Sequence, residues 1–348
     1  MEPIRQSVLA YEHWLAAQCE VVPGGLAHKR VAMAADRFAF LRATCFRFAA
    51  LFAALLPALA EAHRVPSCGD AHTANFGTWR DAEGRLVWGV NDLDECAMLP
   101  FTADLVRLAA SALLGPGPPP AGRAADAILA GYAARLPAPR GFVLDEEHVA
   151  LRHFATPGRK ARAAFWARID LLPEAVPPPD WREALRAALP PGAAPPRHAS
   201  RTAGLGSLGR PRYVAIAEWE GGRVVREAKS RIPSAWLMAG FPGAAAVDAG
   251  ALAQAPGRVT DPWLRLHPRF VIRRLAPDSD RLLPPTTRRA LLLQLEAMGG
   301  ELANLHASGG EAHAVLQALR RLPPDWLRGG ARRMARAVEA DWAAFARG

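Results

Sequence analysis

The stretch Gly69-Asp70-Ala71-His72-Thr73-Ala74-Asn75, followed by Asn91-Asp92-Leu93-Asp94-Glu95, holds the densest group of reactive side chains in the 348-residue chain. Asp70 and Asn75 stand at the two ends of one loop, five residues apart. Between loop and acidic cluster the pattern predicts a hairpin, with strands over 76–80 and 85–90 joined by the turn-forming Asp81-Ala82-Glu83-Gly84. Such a hairpin returns Asp92 to the side of the loop. One carboxylate, Asp70, can then face an acceptor hydroxyl, while Asn75 and Asp92 offer oxygens to a hard cation. Mg²⁺ suits that set, because it takes few protein oxygens and completes its shell with phosphate and water.

Upstream, Phe38, Leu41, Cys45, Phe48, Phe52, Leu55 and Leu59 recur at steps of three and four, which predicts one amphipathic helix over 37–62 capped by Asp36. Downstream, Pro100 precedes a helix over 102–114, and further helices are expected over 123–135 and 145–170. The proline-rich segment 172–200 reads as a linker. Beyond it the character changes. Gly204-Leu205-Gly206-Ser207-Leu208-Gly209 leads into a strand over 213–218, and a Gly221-Gly222 turn gives a second strand over 223–229. A third strand is expected over 269–275. It is followed by a helix with Leu291, Leu295, Met298, Leu302 and Leu305 on one stripe, and by a C-terminal helix over 331–345. This order predicts an α+β chain in three parts. A helical lobe over 1–190 carries the loop and hairpin, a β-rich lobe spans 195–278, and helices over 279–348 pack back on the first lobe.

Composition narrows the partners. A formal charge of +10 invites a nucleic-acid reading, but only Lys29, Lys160 and Lys229 are lysines, and only Asn75, Asn91 and Asn304 are asparagines. The excess of Arg, Ala, Gly and Pro is the footprint of GC-rich coding, so the charge argues weakly for a polyanion partner. Where a lysine or asparagine survives in such a chain, the site needs that side chain. The longest apolar stretch, 48–60, contains Pro57 and is shorter than a bilayer span of about 20 residues. The N-terminus lacks a signal-peptide pattern and the four cysteines show no CxxC pairing, so a cytoplasmic protein is expected. The scattered histidines lack zinc-ligand spacing, no Gly-x-Ser-x-Gly elbow occurs, and Gly69-Asp70-x-His72 lacks the partner motifs of a metallophosphoesterase.

A lone G-x-G-x-x-G is also a Rossmann fingerprint, but a Rossmann loop follows a strand and opens a helix. This one opens a hairpin, the context of a kinase glycine loop whose backbone N–H groups cover nucleotide phosphates. Gly204, Gly206, Ser207 and Gly209 would then line a nucleotide, and Lys229, ending the next strand, would contact its α- and β-phosphates.

Asp-x-His-x-x-Asn, a hairpin, an aspartate ending an apolar strand, and then Pro100-x-x-x-Asp104-Leu105 together resemble the catalytic segment of aminoglycoside and choline kinase-like phosphotransferases. The resemblance implies Asp70 as the catalytic aspartate, Asn75 and Asp92 as metal ligands, Asp94 as a further acidic ligand and Asp104 as a buried structural aspartate. The usual histidine two residues before the aspartate is Cys68 here. The whole motif order, from Lys29-x-x-x-Met33 through Arg226-Glu227-Ala228-Lys229 and Leu305-His306-Ala307 to Asp341-Trp342-x-x-Phe345, looks like the bacterial family called domain of unknown function 2252. It implies a two-lobed protein-kinase-like fold, circularly permuted so that the catalytic lobe precedes the glycine loop. ATP and Mg²⁺ would be the cofactors and a small-molecule hydroxyl the acceptor. A non-catalytic nucleotide-binding regulator and a nucleotidyl transferase are the alternatives. No glutamate occurs between Ser230 and Leu295 to pair with Lys229, leaving Asp248 or Glu227 as substitutes, or no such pair at all. Arg42 is read as reaching phosphate, an acidic substrate group or a structural partner, Lys29 as solvated, and His72 as orienting the loop.

Overall fold

The computed structural model describes residues 2–145, 148–155, 158–279, 285 and 287–347, and the protein is α+β. The chain opens with helices α1 (Ile4–Gln18), α2 (Pro23–Ala35), α3 (Arg37–Ala43), α4 (Cys45–Leu55) and α5 (Pro57–Ala60). Strands β1 (Arg64–Ser67), β2 (Phe76–Arg80), β3 (Leu86–Val90) and β4 (Ala97–Pro100) follow, then α6 (Phe101–Leu114) and α7 (Ala121–Arg135). A short β5 (Phe142–Val143) precedes α8 (Val149–Ala155), α9 (Arg159–Asp170) and α10 (Pro179–Ala187). The β-rich part comprises β6 (Arg197–Ser200), β7 (Arg212–Trp219), β8 (Gly222–Ser230), α11 (Ala235–Met238), β9 (Ala245–Ala246), α12 (Ala249–Ala253), β10 (Arg265–Leu266) and β11 (Phe270–Leu275). Helices α13 (Arg288–His306), α14 (Ala312–Arg321) and α15 (Trp326–Ala346) close the chain.

Three expectations are corrected. The single helix over 37–62 is broken into α3, α4 and α5, with a bend of 90° between α3 and α4. At the break the Thr44 hydroxyl donates to the Phe40 carbonyl at 2.7 Å, and Thr44 leaves helical geometry. Leu56 is likewise non-helical because Pro57 follows it. The supposed linker over 172–200 contains α10 and β6. Pro177 and Pro178 precede α10 and Pro179 opens it, where the ring's fixed φ is compatible with a helix, and Trp181 and Leu185 bury against the sheet. Finally, α8 and α9 replace the one helix expected over 145–170, of which residues 146–147 and 156–157 lie outside the described residues.

The largest sheet is antiparallel throughout, in the order β10-β11-β8-β7-β6. Side chains alternate across it. On one face Ala215, Ala217, Ala228 and Phe270 pack under Trp181 and Leu185 of α10. On the other, Val214, Ile216, Val225 and Leu275 pack with Ile169 of α9. That second face continues, by register, into Arg212, Lys229, Glu227 and Arg273. One half of the face is thus apolar and covered, and the other half is charged. The helical core is built around α6, whose residues are almost all buried, with α15 and α7 against it and α13 along α7. Gly131 and Gly299 let α7 and α13 approach, since a Cβ at either would meet the other helix's backbone. Among the described residues no single helix is long and apolar enough to cross a membrane.

Candidate functional site

The loop between β1 and β2 is fixed from below. Asp104, wholly buried on α6, accepts from the backbone N–H groups of Cys68 at 2.9 Å and Gly69 at 3.0 Å. The Asp104 carboxylate also meets His306 Nε2 at 3.2 Å, and His306 Nδ1 meets the Tyr132 hydroxyl at 2.8 Å. A histidine from α13 therefore stands beside the turn that begins at Cys68. Gly69 has φ +74°, and a Cβ there would run into the Glu95 carbonyl, so the turn needs glycine.

Asp70 projects from this turn and accepts from Arg107 Nε at 2.7 Å, with a second bond from Arg107 Nη2. His72 Nε2 lies 3.5 Å from its other oxygen, while His72 Nδ1 accepts from the Ala74 N–H. Burial pushes the Asp70 carboxyl up, but Arg107 and His72 outweigh it and hold the group well below the usual carboxylate range. Sequence reasoning misses Arg107. A buried arginine three residues after Asp104, on the same helix face, is the signal that could have found it.

Asn75 ties the loop to the end of β3. Its Nδ2 donates to the carbonyls of Asp70 and Asp92, both at 3.0 Å, and its Oδ1 accepts from the Asp92 N–H at 3.1 Å. Asp92 Oδ2 accepts from Lys229 Nζ at 2.6 Å, and the same ammonium lies 2.7 Å from Asp94 Oδ2. Asp94 is shared with Arg210 at 2.8 Å, which reaches on to Glu95 at 3.4 Å. Burial raises the Asp92 carboxyl, but Lys229 and then Arg273 hold it far below its ordinary value.

The partner of Lys229 is thus the acidic cluster, 135–137 residues away in sequence, and neither Asp248 nor Glu227. Asp248 caps α12. Glu227 is wholly buried, receives Arg201, Arg212 and Arg273, and is held below the usual range because they outweigh its burial. As a metal set, Asn75, Asp92 and Asp94 fit only in part. Asn75 Oδ1 already accepts a backbone N–H and Asp94 is held by two cations, whereas the Asp92 side chain is 33% exposed on the cleft wall. Among the described residues no group of three or more His, Cys, Asp or Glu side chains is arranged to hold a metal.

The glycine loop joins β6 to β7, so a strand precedes it where the sequence predicts a linker. Gly204, Gly206 and Ser207 line a cavity of about 220 Å³ together with Arg42, Asp70, Asn75, Asp92 and Asp94. Gly209 does not. Its φ is +94°, a Cβ there would lie 2.5 Å from Leu26 Cδ2, and its carbonyl accepts from Val22 N–H at 2.8 Å. Gly25 of α2 meets it from the other side, its added Cβ falling 2.7 Å from Gly209 N. Lys29 is not solvated: it is buried, donates to the Gly206 carbonyl at 3.1 Å, and lies 4.6 Å from the centre of the Tyr11 ring. Burial, then Arg210, pull its ammonium down to about 7. Arg42 stacks on Phe38 at 5.7 Å and lines the cavity.

A second cavity of about 690 Å³ has Lys229 in its wall, with Cys19, Leu237, Val247, Ala253 and Val271 among its other lining residues. Asp92 and Asp94 belong to the walls of both. No curated protein and no solved structure matches the chain. Its residues 21–126, which hold the loop, the hairpin, the acidic cluster and Asp104, match the model of domain of unknown function 2252, described as an uncharacterised protein conserved in bacteria.

Proposed function

We propose that the protein is an ATP- and Mg²⁺-dependent phosphotransferase that acts on a hydroxyl of a small-molecule acceptor. The observation that carries the reading is the meeting of Lys229 with Asp92, beside Asp70 and Asn75, although the two segments occur in the reverse of the usual kinase order. Strands β6, β7 and β8 add support. The glycine loop joins the first two of them and the lysine stands next to the end of the third, as in a kinase nucleotide lobe. A circularly permuted, two-lobed kinase-like fold is part of the same proposal.

Phosphoryl transfer of this kind needs positioning and charge neutralisation more than covalent chemistry. Asp70, kept ionised by Arg107 and His72, would accept the hydrogen bond of the acceptor hydroxyl and aim it. Lys229 would hold phosphate oxygens while remaining paired with Asp92. Asp92, the exposed carboxylate, would hold Mg²⁺ together with phosphate oxygens and water, and the ion would neutralise phosphate charge. Asn75 and Asp94 would fix the position of Asp92 and Lys229 instead of supplying first ligands.

A non-catalytic nucleotide-binding regulator is the second reading. It is favoured by Glu227 and its arginines, which occupy the sheet face beside Lys229, and by the packing of Gly209 on α2. Turnover of γ-labelled ATP with Mg²⁺ present and a mixture of hydroxyl acceptors separates the two. Label transfer that is lost in both Asp70→Asn and Lys229→Met supports the enzyme. Tight ATP binding with no transfer supports the regulator, and transfer of α-label would show nucleotidyl chemistry.

A further inference from the structure

The most unusual feature of the cleft is its roof. Glu227, with 0% side-chain exposure, receives three guanidinium groups: Arg212 at 2.7 Å and Arg273 at 3.1 Å on one oxygen, and Arg201 on the other. Three cations around this carboxylate leave positive charge in excess, because the other carboxylate that Arg212 and Arg273 feel, Asp92, is already paired with Lys229. Burying charge without compensation is expensive, so such an excess is found where an anion completes it. The exposed edges of the cluster face the cavity. Arg201 and Arg273 keep 30% and 20% of their side chains accessible, whereas the carboxylate that organises them is closed to solvent.

Two further observations point to a ligand. Arg212 is 4% exposed, yet its buried Nε–H has no acceptor among the described residues. It also donates to Ser207 Oγ at 2.5 Å, which ties the cluster to the loop that lines the cavity. The cavity as a whole carries seven arginines against five carboxylates among its described lining residues. Of these carboxylates, Asp70, Asp94 and Glu95 are already matched by Arg107 and Arg210, Asp92 by Lys229, and Asp261 accepts from the Trp263 N–H, while one of the arginines, Arg80, is matched by Asp278.

We infer that Arg201, Arg212 and Arg273, gathered on Glu227, form a binding site for a phosphoryl anion on the roof of the cleft. Guanidinium forks match phosphate oxygens in pairs, and a buried carboxylate keeps the three forks in place while the site is empty. The anion is either the phosphate chain of the nucleotide or a phosphate carried by the acceptor. Its identity rests on the phosphotransferase reading. Anion binding itself does not require turnover, so the two can fail separately.

The probe is inorganic pyrophosphate, with thermal unfolding of the full chain compared against sodium chloride at equal ionic strength. Pyrophosphate should stabilise the protein where chloride does not, with apparent affinity falling about tenfold or more in Arg273→Gln, as expected for a lost charge-assisted pair. If Arg273→Gln does not fold, Arg201→Gln at the exposed rim gives the same reading. Glu227→Gln should lose stability and regain more of it from pyrophosphate than the wild type, because its charge excess has grown. Displacement of pyrophosphate by ATP assigns the site to the nucleotide, and simultaneous binding assigns it to a phosphorylated acceptor. Stabilisation no greater than that by chloride, or an affinity unchanged in both Arg201→Gln and Arg273→Gln, would overturn the assignment even if ATP is turned over.

Discussion

Lys29 offers a direct measurement of how the N-terminal helices hold the glycine loop. The residue is 3% exposed, and its ammonium donates to the Gly206 carbonyl at 3.1 Å. Burial brings that ammonium from the ordinary 10.5 down to about 7. Between those two values the unfolded chain binds a proton that the folded protein does not, so stability contributed through this group rises with pH. Below about 7 the folded protein carries a buried cation and bears the whole cost of charging it. At 1.36 kcal/mol per pH unit the span corresponds to about 5 kcal/mol. Lys29→Met removes the titration. Urea unfolding of both proteins at a series of pH values should show the Lys29→Met variant more stable than wild type at pH 6, with the advantage shrinking by about 1.4 kcal/mol for each unit above 7. Parallel stability profiles for the two proteins across that range would refute the burial argument.

Arg107→Met should strand the Asp70 carboxylate in the cleft floor and cost about 3–5 kcal/mol, a loss read by chemical denaturation and largely restored by adding Asp70→Asn. Asp104→Ala leaves the Cys68 and Gly69 N–H groups without their acceptor, so a loss of about 2–6 kcal/mol is expected, with near-ultraviolet circular dichroism of Trp236 as a local reporter. That indole donates to the Gly69 carbonyl at 2.7 Å and would sense a shifted turn. Gly25→Ala overpacks the contact with Gly209 and should cost about 1–3 kcal/mol, whereas Gly24→Ala, whose added Cβ meets nothing within 4 Å, should not.

Much of this site is legible in the sequence because its residues are local. Asp70, Asn75, Asp92 and Asp104 lie within one 35-residue stretch whose hairpin turn is written plainly, and Asp81 caps that turn by accepting from the N–H groups of Glu83 and Arg85. The scarcity of lysine draws attention to Lys229, which pairs with Asp92 across the cleft. What escapes the sequence is long-range pairing. Arg107 is one of 40 arginines, and its place three residues after Asp104 on one helix face does not by itself say that it reaches Asp70. The Glu227 cluster joins four residues from three strands and a loop, so composition cannot assemble it. The break at Thr44 is hidden because an apolar stripe continues through it, and a single side-chain bond to Phe40 decides the geometry.

The Asp92–Lys229 pair sits where the two cavities, about 220 and 690 Å³, share a wall, and so acts as a bulkhead between chambers. Its ammonium-bearing side chain is 2% exposed and cannot be left alone. An anion that reaches Lys229 from one chamber therefore shares it with Asp92 and Asp94, and changes how strongly Asp92 attracts whatever lies on the other side. Occupants of the two chambers would then be linked in free energy, each altering the affinity of the other by the same factor, without any element of the fold having to move.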